Sequence, residues 1–311
     1  MTSANNRRGV IAMSVGMASF VLNDSLVKYV SDSLPPSQLI FLRGLLAMLG
    51  LLALCIYMGV FQHPAAAFQS LRHRWVLVRS TLDGLASLVY LTAMFHMPLA
   101  NATAINMATP LLIALLSGLL LGVRVSVRHW LIIATGFAGV LLVVQPQADG
   151  FNQWAWVCLG GTLLHAFRDV SMRFVPNHIP SMIVTLCTAT TATVMAGLWS
   201  FWQDWAVVTL TSWACLGGAA ALLSIGYFLL IQSTRSADLT VVAPFRYVGL
   251  LTAVVMGFVV WGDIPNTVAW CGMVLLVGAG LMMLRSQASV ADTSDSESNT
   301  SVSTSLRACS L

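Results

Sequence analysis

The sequence predicts an all-α integral membrane protein of ten transmembrane helices arranged as a 5+5 inverted repeat. Three observations predict it: the composition, the length of the apolar runs, and an echo between the two halves. Of 311 residues, 58% are hydrophobic and only 8% charged, against about 25% charged in an ordinary soluble domain. No water-soluble fold has enough interior to hide that much apolar surface. A helix needs about 20 mostly apolar residues to cross a hydrocarbon layer roughly 30 Å thick, and the chain supplies such runs between short polar interruptions. A barrel strand would show about ten residues of in/out alternation, and none of the runs alternates.

The spans are read at 9–30, 36–59, 75–95, 100–122, 127–145, 153–174, 180–202, 211–232, 238–261 and 266–284. The first follows Arg7 and Arg8, which also suits a secretory signal peptide. Its length, and the presence of Asn23, Asp24 and Lys28 in place of a small-residue cleavage site, favour a retained helix with a basic anchor. The second opens at Pro35-Pro36 and the seventh at Pro180. Pro110 and Pro244 interrupt the fourth and ninth, either kinking them or freeing backbone groups toward a ligand. Ser117, Gly118 and Gly122 in the fourth, and Gly272, Gly278 and Gly280 in the tenth, suit close helix packing. Trp154, Trp156, Trp202, Trp205, Trp213, Trp261 and Trp270 lie near span ends, as an interfacial aromatic belt does.

Basic residues orient the spans, because cytoplasmic loops collect Lys and Arg. Arg7, Arg8, Arg72, Arg74, Arg124, Arg128, Arg173, Arg235, Arg285 and Arg307 all fall in one alternating set of loops. The other set, around Asp32, His96, 147–149, 203–204 and 263–265, has no Lys or Arg. Both termini are therefore expected in the cytoplasm, with the chain multi-pass in the cell inner membrane. This topology accounts for the formal charge of +4 without a nucleic-acid partner. The six cysteines are scattered singly and form neither a disulfide framework nor a metal-ligand spacing; no cofactor is implied. From Ser286 the chain turns to Ser, Thr, Asp and Asn, a composition too polar to repay the entropy of ordering.

The halves echo each other. Asn23-Asp24-Ser25-Leu26-Val27-Lys28-Tyr29-Val30 is matched by Arg168-Asp169-Val170-Ser171-Met172-Arg173-Phe174-Val175, each with an acid four residues before a base and an aromatic directly after it. Ala100-Asn101-Ala102-Thr103 is matched by Ala237-Asp238-Leu239-Thr240, and Gly122 with Trp130 by Gly262 with Trp270. Five helices per copy is an odd number, so the second copy enters the membrane from the opposite side. The expected units are 1–146, 147–285 and a disordered tail, 286–311. Inverted repeats are a transporter design with the binding site at the midplane between copies.

With these motifs in place, the chain resembles the drug/metabolite transporter superfamily and, within it, the EamA-type family of two five-helix units. The resemblance rests on Asp24 to Lys28, Phe41-Leu42-Arg43-Gly44, Pro98-Leu99-Ala100-Asn101-Ala102 with Pro110, Trp130 with Gly136 and Gly139, and Ala243-Pro244-Phe245-Arg246-Tyr247. It covers nearly everything except the tail. Many members end the fourth helix with Gly-Glu, where this chain has Gly122-Val123-Arg124; the second copy keeps Gly262-Asp263. The helix-one segment and the Gln38 to Arg43 stretch are similar to bacterial riboflavin importers; other branches export amino acids or drugs, or exchange S-adenosylmethionine. The resemblance implies a carrier without a cofactor.

Lys28, Arg43, Arg79, Arg168 and Arg246, with Asp24, Asp83 and Asp169, fall inside spans. Each such group costs about 2.5–3.5 kcal/mol at a helix centre in lipid, so they are expected to face one another or a wet cavity. At about 1.5 Å of rise per residue, Asp24 and Arg43 reach the same outer third, where they can pair, and Asp83 and Arg246 lie near the middle. Helical spacing puts Asp83 with Tyr90, His165 with Asp169 and Arg173, and Met17 and Phe20 with Asp24 on common faces. The candidate pathway is therefore Asp24, Arg43, Asp83, Tyr90, Asn106, His165, Asp169, Tyr227, Arg246 and Tyr247. Structural readings stand beside it: Lys28, Arg79 and Arg173 can snorkel, Arg79 can pair with Asp83, and Arg43 with Asp24 can be a helix–helix clamp. His165 can be a hydrogen-bonded helix residue, and the aromatics can be simple packing.

The leading reading is a secondary carrier for a small metabolite, riboflavin uptake first and export of amino acids or related metabolites second. A Gly-Lys-Ser/Thr phosphate loop is missing. The catalytic clusters that an integral-membrane enzyme needs, and the soluble domain expected of a membrane scaffold, are missing as well.

Overall fold

The computed structural model describes residues 3–62, 69–120, 127–145, 153–176, 178–236 and 242–282. The expected tail, the start of the ninth span and the end of the tenth lie outside them, as does the 237–240 side of the second echo. Among the described residues there is helix and no strand. The helices are α1 (Ser3–Val30), α2 (Pro36–Tyr57), α3 (Arg74–Phe95), α4 (Leu99–Asn106), α5 (Thr109–Leu120), α6 (Val127–Val144), α7 (Trp154–Ser171), α8 (Ser181–Ser200), α9 (Leu210–Ser236), α10 (Val248–Met256) and α11 (Thr267–Met282).

Prolines start helices where sequence reading expects them: Pro35, Pro98 and Pro180 stand immediately before α2, α4 and α8. A proline is tolerated there because the first amides have no partner within the helix. The two interior prolines act differently. Pro110 carries no N–H to give to the Asn106 carbonyl, and the fourth span accordingly breaks between α4 and α5; the Thr109 hydroxyl donates to that carbonyl instead, at 2.6 Å. The ninth span is a 3-10 turn at Ala243–Tyr247, then α10, then a π turn at Gly257–Trp261. It ends at Gly262, whose φ of +70° is the left-handed stop that glycine adopts freely.

Among the described residues, six helical stretches are long and apolar enough to cross a membrane: Asn6–Val30, Pro36–Tyr57, Arg74–Phe95, Leu99–Leu116 across the α4–α5 break, Met182–Ser200 and Leu210–Leu230. Trp130–Val144, Phe245–Trp261 and Thr267–Met282 are shorter and also apolar. α7 has 18 residues, but His165, Arg168 and Asp169 dilute its apolarity. Leu77, Leu141, Val194, Leu198, Ile225, Leu251, Val255 and Val274 point outward and are exposed. In water such a surface would drive association; in lipid it is the solvent-facing side.

The helices pack in both antiparallel and parallel pairs, α1 with α9 and α3 with α7 being antiparallel. α1 lies along α9, with the Ser233 hydroxyl on the Gly9 carbonyl at 2.7 Å and Phe20 edge-on to Tyr227 at 5.2 Å. α3 lies along α7, with Trp75 stacked on Phe174 at 4.6 Å. A Cβ at Gly161 would stand 2.9 Å from the Tyr90 nitrogen, so this backbone approach requires glycine. α2 packs on α8 and α9, α3 on α8, α1 on α10, α5 on α7, and α4 on both α7 and α10. α6 meets α11 where Gly139 and Gly272 each face the other's carbonyl.

Candidate functional site

Helices of both halves surround one cavity of about 280 Å³. Its wall includes all ten of the pathway residues expected from sequence: Asp24, Arg43, Asp83, Tyr90, Asn106, His165, Asp169, Tyr227, Arg246 and Tyr247. They come from α1, α2, α3, α4, α7, α9 and the 3-10 turn before α10. Helical spacing is what makes this convergence legible, since Asp83 and Tyr90 leave α3 on one face and His165 and Asp169 leave α7 on another.

Apart from Arg246, the charged side chains fall into two centres. In the first, Asn23 stands between Arg43 and Asp24: Arg43 Nη1 donates to Asn23 Oδ1 at 3.4 Å, and Asn23 Nδ2 donates to Asp24 Oδ1 at 2.9 Å. Arg43 and Asp24 are thus bridged by an amide, with no direct ion pair between them. Arg43 is 9% exposed and its Nε has no hydrogen-bond partner. In the second, Arg168 donates to Asp83 across the α3–α7 contact and, through Nε, to Asp169 Oδ1 at 2.8 Å. The pairing of Arg79 with Asp83 expected from their one-turn spacing does not form. Arg79 Nη1 instead donates to Thr188 Oγ1 of α8 at 3.0 Å, because Arg168 occupies the carboxylate from the facing helix.

Neutral groups complete the wall. His165 Nδ1 lies 3.1 Å from Asn106 Oδ1, which gives the imidazole an amide partner, and its ring is 5.8 Å from that of Tyr90. Tyr247 is buried and lies so close to α11 that a Cβ on Gly280 would fall 1.5 Å from its hydroxyl oxygen. Arg246 is largely exposed, unlike Arg43.

Two residues of the charge centres escaped the sequence list. Arg168 was visible as an intramembrane base but not as the partner of Asp83, since nothing local fixes the rotation of α7 against α3. Asn23 was visible as a polar residue of the first span and as part of the echo, but not as the bridge between Arg43 and Asp24. Lys28 differs from its expected snorkelling: it is 9% exposed, donates to the Met97 carbonyl and lies 5.3 Å from the Trp261 ring. An ammonium held by a carbonyl and an aromatic face is satisfied without reaching water.

A helical membrane-protein fold closed around a charged cavity defines a class, the multi-pass membrane proteins that enclose a polar compartment. Comparison with known proteins sharpens this. The EamA-like transporter family matches residues 7–145 and again 152–285, and the chain belongs to that family.

Among curated relatives, the chain is 26% identical over 284 residues to the pseudopaline exporter CntI of Pseudomonas aeruginosa, covering 90% of this chain and 97% of that one. It is 24% identical to the riboflavin transporter of Vibrio cholerae (87% and 90% covered) and 24% identical to the S-adenosylmethionine uptake transporter of Rickettsia bellii (88% and 94%). A solved crystal structure, 19% identical, superposes with a TM-score of 0.56 over 86% of this chain and 94% of its own, which speaks for the fold alone.

Proposed function

We propose that the protein is a secondary carrier that moves a small metabolite across the bacterial inner membrane by alternating access, with both termini cytoplasmic. The observation that carries this reading is a single cavity walled by ionisable groups from both halves of the chain. Intramembrane charges are costly in lipid and mark solute or ion pathways.

The proposed frame is ten crossings as a 5+5 inverted repeat of 1–146 and 147–285, and two findings support it. The family matches twice, once in each half. The packing also keeps its pattern when the halves are exchanged: α1–α9 corresponds to α7–α3, α2–α9 to α8–α3, and α1–α10 to α7–α5, while α2–α8, α4–α10 and α6–α11 correspond to themselves. Such a frame lets one copy rock against the other around a fixed site.

For the cargo, riboflavin uptake is the first reading, supported by the Vibrio cholerae relative and by Tyr90, Tyr227 and Tyr247 beside polar groups that suit a flat, hydrogen-bonding ring. Export of an amino acid or related metabolite is the second. It is favoured by the wall's balance of three acids (Asp24, Asp83, Asp169) and three bases (Arg43, Arg168, Arg246), which a neutral vitamin does not require. Labelled riboflavin, S-adenosylmethionine and amino acids are offered to proteoliposomes holding the full chain, beside Arg43→Ala and Arg246→Ala. Flux of one cargo, lost in the variants, is expected. Absence of riboflavin flux removes that cargo, and absence of all flux removes the carrier reading.

A further inference from the structure

We infer that Arg43 is the cavity's receptor for an anionic cargo group, and that its occupation is coupled to uptake of one proton by Asp24. The inference rests on the carrier reading and adds a coupling ion to it.

The argument starts from the hydrogen-bonding capacity of the three cavity arginines. A guanidinium carries five N–H donors in a planar fork suited to a carboxylate or a similar anion. Arg168 already spends its fork on two carboxylates. Arg246 is exposed, unlike the other two. Arg43 is 9% exposed, yet makes one 3.4 Å bond to a neutral amide and leaves Nε without a partner. A buried, under-bonded guanidinium in a cavity wall gains most from an arriving anion.

Charge balance then requires the proton. At the second centre, Asp83 and Asp169 are met by Arg168, and Arg79 is near enough to act on Asp83, so two acids face two bases. At the first centre one acid faces one base. An anion on Arg43 would place two negative charges on a single guanidinium inside a low-dielectric wall, an arrangement that like-charge repulsion opposes. Asp24 is the group able to relieve it, because its one side-chain hydrogen bond comes from Asn23 Nδ2, and no cation lies within ion-pair distance among the described residues.

The other charged or titratable groups facing this part of the cavity are Tyr90 from α3, Tyr227 from α9, and Arg246 and Tyr247 from the 3-10 turn. On α7, His165, Arg168 and Asp169 line the same cavity. The tyrosines and the imidazole carry no negative charge to shed, and Asp83 and Asp169 are held by Arg168. No bond other than O–H forms: the proton arrives from water through the open side, rests on the Asp24 carboxylate while cargo occupies Arg43, and leaves with it.

Two measurements test this in the full chain in lipid. The first needs no cargo. Difference infrared spectra between neutral and acid pH record the carbonyl stretch of a protonated carboxyl group. The part of that band at the higher frequency of a weakly hydrogen-bonded carboxyl, above that of water-exposed acids such as Asp32 and Asp204, is expected to vanish in Asp24→Asn and to survive in Asp83→Asn and Asp169→Asn. Persistence in Asp24→Asn overturns the proposal, and so does its loss in either of the other two variants.

The second uses whichever of the three cargo classes gave flux. For one proton per cargo, the accumulation ratio rises about tenfold for each unit of imposed pH difference. Asp24→Asn loses that dependence, and an unfolding temperature in lipid matching that of the unmodified protein shows that the variant is folded. Gradient-independent flux in the unmodified protein overturns the coupling and leaves the carrier reading intact. Absence of flux together with an Asp24 band that titrates removes the carrier reading, and the coupling built on it.

Discussion

Asn23-Asp24 in the first half of the chain answers Arg168-Asp169 in the second by sequence, and yet the two charge centres built on them are satisfied to different degrees. Around Arg168 every charge is met by an opposite charge, and the carboxylates come from two helices, Asp83 from α3 and Asp169 from α7. Around Arg43 the acid and the base are separated by an amide, and part of the guanidinium is unbonded. The comparison teaches that, of two polar clusters with echoing sequences, one can hold helices together while the other keeps a base under-bonded. A buried ion pair that joins two helices resists separation, whereas an under-bonded base is a vacancy for an anion.

The largest effect is expected from Arg168→Ala. It strands two carboxylates in the wall with only Arg79 nearby, and breaking a buried pair in this way costs about 3–5 kcal/mol. The apparent unfolding temperature in nanodiscs should fall steeply, and adding Asp83→Asn should restore part of the loss, as coupled neighbours do in a double-mutant cycle. If Arg168→Ala were as stable as the unmodified protein, the assignment of this centre to structure would be wrong.

A smaller effect is expected from Asn23→Ala. It removes the amide that bonds Arg43 and Asp24, and hydrogen bonds to charged groups are worth about 1.5–3 kcal/mol each. Part of that returns, because without the spacer the guanidinium and carboxylate can approach each other directly. The comparison predicts mild destabilisation with a marked loss of flux, since a direct Arg43–Asp24 pair would close the anion site. A variant that transports normally would show that the amide bridge does not keep Arg43 receptive.

How much of this was legible in the sequence depends on whether the deciding force is local. That Asp24, Asp83, His165 and Asp169 face a common interior follows from the cost of charge in lipid and from the helical period, both readable along one helix at a time. Partner choice is not local. Arg79 lies one turn from Asp83 on α3, but Arg168 reaches that carboxylate from α7, a helix 85 residues further along the chain. Lys28 misled in the same way, because its partners, the Met97 carbonyl and the Trp261 ring, lie 69 residues away and at the end of the ninth span. Pro110 marked the site of the fourth-span break, but only the capping of the Asn106 carbonyl by Thr109 fixes its form.

The smallest effect bears on Thr188, which connects the second centre to α8. Its hydroxyl oxygen accepts from Arg79 Nη1 at 3.0 Å and lies 3.3 Å from Ser80 Oγ. Thr188→Val keeps the shape and removes both contacts, leaving Arg79, whose Nε is already without a partner, in search of another acceptor. Arg79 is only half-buried, so water can supply one, and the cost should be about 1 kcal/mol. The alternative acceptor is Asp83. If Arg79 swings onto that carboxylate when Thr188 is gone, Arg168 is loosened and the second centre comes to resemble the first. A double-mutant cycle between Thr188→Val and Arg168→Ala separates the two outcomes: additive losses mean that Arg79 went to water, and a combined loss smaller than the sum means that it took over Asp83.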